Sequence, residues 1–214
     1  MSKMLKVSLI AAAVASAIPA SAIADVTVYG RANVSLDYLD DGADYKEPNI
    51  SSNSSRLGFK AEKKTESGIT GFMQIEGEIT YNQGNSLLSS RDTFVGIKGD
   101  FGSVRVGKFD SPFKAARGPA NLFGDQLGDM RNLTRVGDAR FDERTENTLH
   151  YQSPNFAGFN VNLAYSLQEG TAATADEKDQ AISTSVTYKG GPVEAAVAYE
   201  QYSEDANRGE RNAV

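Results

Sequence analysis

Charged side chains alternate with apolar ones in several stretches of this sequence, and this alternation is its main chemical signal. In residues 26–39, Arg31 and Asp37 are interleaved with apolar or small residues. In residues 56–81, Lys60, Glu62 and Glu76 occupy equivalent positions. Such charges are costly between two packed apolar layers, because a buried charge has to be paired or solvated. We therefore expect strands with one face in contact with water and the other in an apolar environment.

Catalytic and metal-binding chemistry has little support in the sequence. His150 is the only histidine, and no recognisable nucleophile motif adjoins it. The chain has no cysteine, which excludes thiolate metal sites and cysteine nucleophiles. The acidic stretch Asp40-Asp41-Gly42-Ala43-Asp44 could bridge calcium to lipopolysaccharide, but a solvated loop explains it better. The sequence predicts no catalytic residue, no metal site and no cofactor.

The first 24 residues have the three parts of a secretory signal peptide. Lys3 and Lys6 precede an apolar run over residues 7–18, and Ala22-Ile23-Ala24 fits the cleavage rule. The run is shorter than the ~20 residues that a helix needs to span a bilayer. We expect residues 1–24 to be removed and residues 25–214 to be exported to the periplasm. The net charge of −6 then becomes −8, because the leader has two lysines and no acid. Nucleic acid is therefore not an expected partner.

Nine segments of the mature chain have strand character. Alternation with period two predicts strands, and several segments are long enough for the ~9–11 residues of a tilted membrane strand. The predicted strands are residues 26–39, 56–65, 71–81, 91–98, 103–109, 147–152, 159–167, 181–189 and 193–202.

The connections between these segments differ in length from one side to the other. Short turns alternate with longer connections at residues 40–55, 82–90, 110–146 and 168–180. Outer-membrane barrels have this asymmetry, with short periplasmic turns and long external loops. We predict an all-β, transmembrane antiparallel barrel. Because bacterial single-chain barrels have an even number of strands, nine strands and a polar end favour the N-terminal portion of a longer protein. Aromatic residues near strand ends, Phe72 and Tyr202 among them, are expected to form interfacial girdles.

Short strings of residues in a fixed order resemble the trimeric general-diffusion porins of Gram-negative outer membranes. The resemblance covers essentially all of the mature chain. It implies a barrel of about sixteen strands, a homotrimer in the outer membrane, contacts with lipid and lipopolysaccharide, and passive diffusion of small hydrophilic solutes and ions without catalysis. The matching strings are residues 28–31 (VYGR), 55–60 (SRLGFK), 94–102 (FVGIKGDFG), 104–108 (VRVGK) and 151–159 (YQSPNFAGF).

The same resemblance implies a pore narrowed by an inward-folded loop at about residues 110–146. A loop of this length is unusual unless it is functional. Opposed charges across a narrow opening would orient polar solutes and sort ions. The implied residues are the loop carboxylates Asp125 and Asp129 and the wall arginines Arg31, Arg56, Arg91 and Arg144. The position of Arg91 is open, because strict alternation groups it with Val95 on the apolar face whereas the resemblance places it inside.

Two alternatives remain at this point. One is a small outer-membrane barrel enzyme or adhesin of about eight to ten strands, whose interior would be filled by side chains. The other is a secreted soluble β-protein with the same bulk composition.

Overall fold

A computed structural model describes residues 25–44, 46–81, 91–126, 128–136, 139–167, 180–203 and 211–214. The predicted signal peptide lies outside the described residues. The strands are β1 Asp25–Arg31, β2 Val34–Asp40, β3 Lys46–Ser52, β4 Arg56–Lys64, β5 Thr70–Glu78, β6 Thr93–Gly99, β7 Gly102–Asp110, β8 Arg135–Val136, β9 Ala139–Arg140, β10 Arg144–Gln152, β11 Phe159–Ser166, β12 Ala181–Gly190, β13 Val193–Tyr202 and β14 Arg211–Ala213. The helices are α1 Pro112–Ala116 and α2 Arg131–Thr134, with a 3₁₀ turn at Gly118–Ala120.

Ten of the strands form one antiparallel sheet in the order β1-β4-β5-β6-β7-β10-β11-β12-β13-β14. Apart from the two short hairpins described below, neighbours in sequence are neighbours in the sheet, as in an up-and-down barrel. Within the described residues the sheet is open between β1 and β14. The predicted all-β antiparallel architecture is confirmed. None of the described helices has the length and apolar character needed to cross a membrane.

The strand register gives the sheet one apolar and one polar face. On the apolar face, Val28 pairs with Phe59 and Val95 pairs with Val106. These apolar side chains are exposed, with 61% of Val28 and 50% of Val95 accessible. An exposed apolar surface of this extent is the outer surface of a membrane barrel rather than of a soluble domain.

Polar side chains occupy the opposite face, here called the polar face. Lys60 pairs with Gln74, and Ser183 pairs with Glu200. The predicted alternation between a water-facing side and an apolar side is therefore present across the sheet.

The short connections lie together at one end of the sheet. Gly99 and Gly102 close a two-residue turn between β6 and β7, and β12 and β13 are joined as tightly. Gly102 has a φ of 99°, and a Cβ at this position would collide with the carbonyl oxygen of Gln152. Only glycine fits this turn without strain.

The first predicted strand, residues 26–39, is wrong as a single element. The structure breaks it after Arg31, and β2 pairs with β3 in a separate two-stranded hairpin. Asn33 marks the break, because its backbone N–H donates to Ser55 Oγ at 2.9 Å rather than to a sheet neighbour. Much of the predicted loop at residues 40–55 is therefore strand. The Lys46–Asp40 ion pair at 3.0 Å joins β2 and β3 next to the turn of the hairpin.

The predicted number of strands also changes. β14 pairs with β13 through Glu200 and Ala213, so the polar end of the chain adds a tenth strand to the nine that were predicted. β8 and β9 form a further small hairpin within the long connection. These short ladders lack the long alternation by which strands are recognised in a sequence.

Candidate functional site

The connection between β7 and β10, residues 111–143, folds back over the polar face and is here called the inner loop. Helix α1 packs against β11, β12 and β13. Ser111 Oγ caps this helix by accepting a hydrogen bond from Lys114 N at 3.2 Å, and Pro112 begins it. The backbone N–H of Phe113 donates to Ser183 Oγ at 3.0 Å. The Phe113–Ser183 hydrogen bond thus joins the helix to the wall.

The other end of the inner loop contacts the wall through a pair of aromatic rings. The rings of Phe141 and Tyr202 lie 6.0 Å apart. Glu200 is fully buried beneath the loop, where it accepts a hydrogen bond from the Tyr202 hydroxyl at 3.2 Å. Tyr202 therefore lies on the polar face, and its prediction as an interfacial girdle residue is wrong.

Arg144, a predicted wall residue, lies where the inner loop returns to the sheet. Its guanidinium contacts Asp92 at 2.6 Å and Asp110 at 3.1 Å. Asp110 also contacts Lys114 of α1 at 3.1 Å. Burial lowers the pKa of Lys114, although the charge of Asp110 opposes that shift. This cluster links the wall to the loop through paired charges.

Asp129 belongs to the interior of the loop and is not brought to the wall arginines. It contacts Arg117 at 2.9 Å and Arg131 at 3.1 Å. The backbone N–H groups of Asp125 and Arg131 also donate to its carboxylate. Burial alone would raise the pKa of Asp129, but these hydrogen bonds and the charge of Arg131 keep it well below its ordinary value. Its observed contacts organise the loop.

Asp125 does meet a wall arginine. Its carboxylate lies 2.6 Å from Arg31 Nη2 and 3.5 Å from Arg131 Nη2. The residue has a φ of 65°, a left-handed conformation that aspartate tolerates. Of the two predicted loop carboxylates, the structure therefore pairs only Asp125 with the wall.

Arg91 lies just before β6 and is directed to the polar face. It is buried, its Nε contacts Glu76 at 2.6 Å, and its Nη1 lies 3.6 Å from Glu78. Strict alternation fails for this residue because β6 begins at Thr93. The arrangement expected from the family resemblance is the one that the structure has.

Arg56 differs from the other three wall arginines. It lies on the polar face between Arg31 and Glu78 in the strand register. Within the described residues, Arg56 has no ion pair. Its side chain is half-buried. Of the four predicted wall arginines, Arg56 is therefore the one whose charge is least compensated by a direct partner.

Sequence reasoning missed Arg105, a half-buried cation of the polar face that is held between two aromatic rings. Its guanidinium carbon lies 4.8 Å from the Phe94 ring centre and 4.1 Å from that of Phe109. Its Nε donates to His150 Nδ1 at 3.1 Å. The alternation of Val104, Arg105 and Val106 would have indicated an inward position, but Phe94 and His150 come from the two neighbouring strands β6 and β10.

No metal centre is evident in the part of the chain that the structure describes, since no group of three or more histidine or acidic side chains is placed to hold an ion. In the acidic stretch at residues 40–44, Asp40 accepts a hydrogen bond from Gly42 N at 2.9 Å and pairs with Lys46. Asp41 accepts from Ala43 N at 2.8 Å. These contacts lie at the turn of the β2–β3 hairpin.

Comparison with known protein families gives a match over nearly the whole chain. The model of the Gram-negative porins matches residues 10–214. The chain belongs to this family. An outer membrane porin protein 32 of Delftia acidovorans is 31% identical over 212 residues, and a major outer membrane protein P.IB of Neisseria lactamica is 29% identical over 182 residues. These relatives are named porins or outer-membrane proteins, and this porin lies in the outer membrane.

Solved structures of outer-membrane proteins share the fold. An anion-selective porin from Comamonas acidovorans superposes with a TM-score of 0.75 at 26% identity, over 89% of this chain and 61% of that one. The trimer form of OmpT from Vibrio cholerae superposes with a TM-score of 0.57 at 21% identity, over 89% of this chain and 51% of that one. The match covers 92% of this chain and 60% of the Delftia protein, and 80% of this chain and 53% of the Neisseria protein. The chain thus spans about half to three fifths of the length of these relatives.

Proposed function

We propose that this porin is a passive channel for small hydrophilic solutes and ions, with its opening narrowed by the inner loop. The observation that carries the proposal is the inner loop lying on the polar face, with Asp125 of the loop 2.6 Å from Arg31 of the wall. A polar lumen lets solutes move down a gradient without a catalytic step or a cofactor. The porin relatives are channels rather than enzymes, which agrees with this reading.

The charges on both sides of the opening would supply its selectivity. Three of the wall arginines are paired with carboxylates, namely Arg31, Arg91 and Arg144. Arg56 keeps its charge without a direct partner among the described residues. A cation in a narrow, poorly screened opening attracts anions and orients dipolar solutes. Arg56 is therefore the residue that we expect to act most directly on passing ions.

The partners of the protein follow from its two faces. The exposed apolar face would contact outer-membrane lipid. The β2–β3 hairpin would lie on the external side near lipopolysaccharide, and it is here called the external hairpin. We further propose a homotrimer, the form in which the Vibrio cholerae structure is described. Cross-linking in intact outer membranes would show a species of three subunits, whereas a monomer alone would contradict this part of the proposal.

Planar-bilayer recording tests the channel function. The full-length protein, purified from outer membranes, should give discrete current steps whose size is proportional to the applied voltage. Folded protein that inserts into the bilayer but passes no current would contradict the proposal. Silent protein would instead favour the small barrel enzyme or adhesin.

The unpaired charge of Arg56 should be visible in ion selectivity. We expect Arg56→Ala to lower the preference for anions over cations by about twofold, because it removes the wall cation that has no direct carboxylate partner among the described residues. The reversal potential across a salt gradient measures this ratio, and about 0.1 M salt limits screening to a Debye length of ~10 Å. Lys46→Ala is the matched control, because Lys46 lies on the external hairpin, paired with Asp40. Equal reversal potentials for Arg56→Ala and the wild type would remove Arg56 from the selectivity site.

The Arg31–Asp125 contact should make the channel sensitive to acid. Burial is the largest single influence and acts to raise the pKa of Asp125, but the hydrogen bonds with Arg31 and Ser54 and the charges of Arg31 and Arg131 together outweigh it, so the pKa lies below its ordinary value. A carboxyl with a lowered pKa contributes its full stabilisation above the ordinary value of ~3.9 and loses it as the pH falls further. We expect steady conductance from neutral pH to about pH 5, and larger, noisier currents below about pH 4.

Asp125→Asn isolates this effect from the other carboxylates. The variant keeps the shape of the side chain and lacks the charge, so its currents at neutral pH should already resemble those of the acid-treated wild type. Superimposable pH profiles for variant and wild type would show that the contact does not hold the inner loop.

A further inference from the structure

A cavity of about 470 Å³ lies on the polar face between α1 and the end of the sheet with the short turns. This volume is within the ~300–1,000 Å³ range of small-molecule sites. Its lining combines aromatic rings, cations, carboxamides and the carboxylate of Glu62. The residues that matter for the argument are Phe72, Phe94, Arg105, Lys60, Gln152 and Asn162.

Arg105 presents an available guanidinium to this cavity. Its Nε is used by His150, and its flat faces are held by Phe94 and Phe109. Among the described residues, its two terminal nitrogens have no hydrogen-bond partner and no carboxylate lies at ion-pair distance. Asp92 and Asp110 act on Arg105 from further away, and both are bound by Arg144. A pre-positioned guanidinium fork of this kind matches a carboxylate.

The aromatic part of the lining is built into the sheet. Phe72 pairs with Gly96 and Phe94 pairs with Gly107, so each ring lies opposite a residue without a side chain. A Cβ on Gly96 would lie only 2.6 Å from Phe72 Cζ. The Phe72 and Phe94 rings stand edge to face with their centres 6.0 Å apart. Phe72 thus lines the cavity, and its prediction as an interfacial girdle residue is wrong.

Lys60 supplies a second cation. Its Nζ lies 4.6 Å from the Tyr29 ring centre. Lys98 is also in the lining, but Glu62 binds it with both carboxylate oxygens at 2.8 Å. The positive charge offered to a solute therefore comes mainly from Arg105 and Lys60.

We infer that this cavity is a binding site for small aromatic monocarboxylates passing through the channel. The carboxylate would bind the free terminal nitrogens of Arg105, and the ring would pack against Phe72 and Phe94. A simple inorganic anion would use the charge but not the rings, and an uncharged sugar would leave the guanidinium unpaired. The inference rests on the proposed channel function, because solute has to reach the lumen.

Blockade by benzoate tests the site. Benzoate added to the short-turn side of the wild-type protein in a planar bilayer should reduce chloride current in a saturable way. Acetate, which has the charge without the ring, and benzyl alcohol, which has the ring without the charge, should block about tenfold more weakly. Benzoate and acetate acting at equal concentrations would overturn the inference.

Variants locate the site. Arg105→Gln should raise the benzoate concentration for half-blockade about tenfold. Phe94→Leu keeps the guanidinium and should weaken blockade by benzoate but not by acetate, so it provides a test if Arg105→Gln does not fold. Lys189→Gln is the charge-matched control, because Lys189 is exposed at a short turn and paired with Glu194. If a cavity variant folds and its blockade by benzoate is unchanged, the inference is overturned. Ordinary chloride currents in that variant would leave the channel function intact. Absence of all current would instead contradict the channel function.

Discussion

Replacing Arg117 with methionine should release the inner loop and enlarge the channel current. Arg117 contacts Asp129 at 2.9 Å and Asp142 at 2.8 Å, and Asp142 is fully buried. Removing one partner of a buried ion pair costs about 3–5 kcal/mol, because the other charge stays buried without compensation. Asp129 keeps its contact with Arg131, so the cost falls mainly on Asp142. We expect higher single-channel conductance and greater current noise than in the wild type.

A second substitution separates the ion pair from the volume of the side chain. The double variant Arg117→Met, Asp142→Asn removes both charges of the pair, and asparagine tolerates the φ of 74° at position 142. It should recover much of the wild-type conductance. Arg131→Met is the matched control, because Arg131 is a third exposed and should have a smaller effect. Equal currents for Arg117→Met and Arg131→Met would contradict the assignment of Arg117 as the anchor of the loop.

The barrel strands could be predicted from the sequence because their physical cause is local. Alternation sets the two faces of a strand, and it placed Val28 and Val95 outside and Lys60 and Glu76 inside without reference to any neighbour. The alternation gave wrong predictions at residues that lie outside regular strands. Arg91 lies before β6 begins, so counting by twos assigned it to the wrong face. Asn33 interrupts the first strand with a hydrogen bond to Ser55, about twenty residues away, which no local pattern contains.

The fold of the inner loop could be predicted from local sequence patterns even less well than the strands. Its fold depends on single long-range contacts, such as Phe113 with Ser183 and Phe141 with Tyr202. The family resemblance implied that both Asp125 and Asp129 face the wall arginines, and the structure brings only Asp125 to one of them, Arg31. The structure instead surrounds Asp129 with the loop's own cations and N–H groups. Mixed charge signs in the loop sequence are explained by this internal pairing.

Phe109→Ala is expected to be the most destabilising single substitution in the sheet. The Phe109 side chain is fully buried on the polar face, and its ring centre lies 5.9 Å from that of Phe94 and 5.7 Å from that of His150. It also supports the Arg105 guanidinium at 4.1 Å. Truncating a buried phenylalanine to alanine costs about 3–5 kcal/mol, through lost contacts and the cavity that remains. The unfolding midpoint of the purified protein, followed by circular dichroism in detergent with added urea, should fall clearly.

Phe159→Ala makes the same chemical change on the other face and is the matched control. Phe159 is 48% exposed on the apolar face, where its ring lies 4.6 Å from that of Tyr188. Lipid or detergent can fill the space left by its ring, so no empty cavity forms and the midpoint should move much less. Because Phe109 also supports Arg105, its substitution should weaken benzoate blockade in protein that still folds, whereas Phe159→Ala should not. Equal shifts in the unfolding midpoint would mean that the interior beneath the inner loop is loosely packed and that Arg105 is not held in place by its rings.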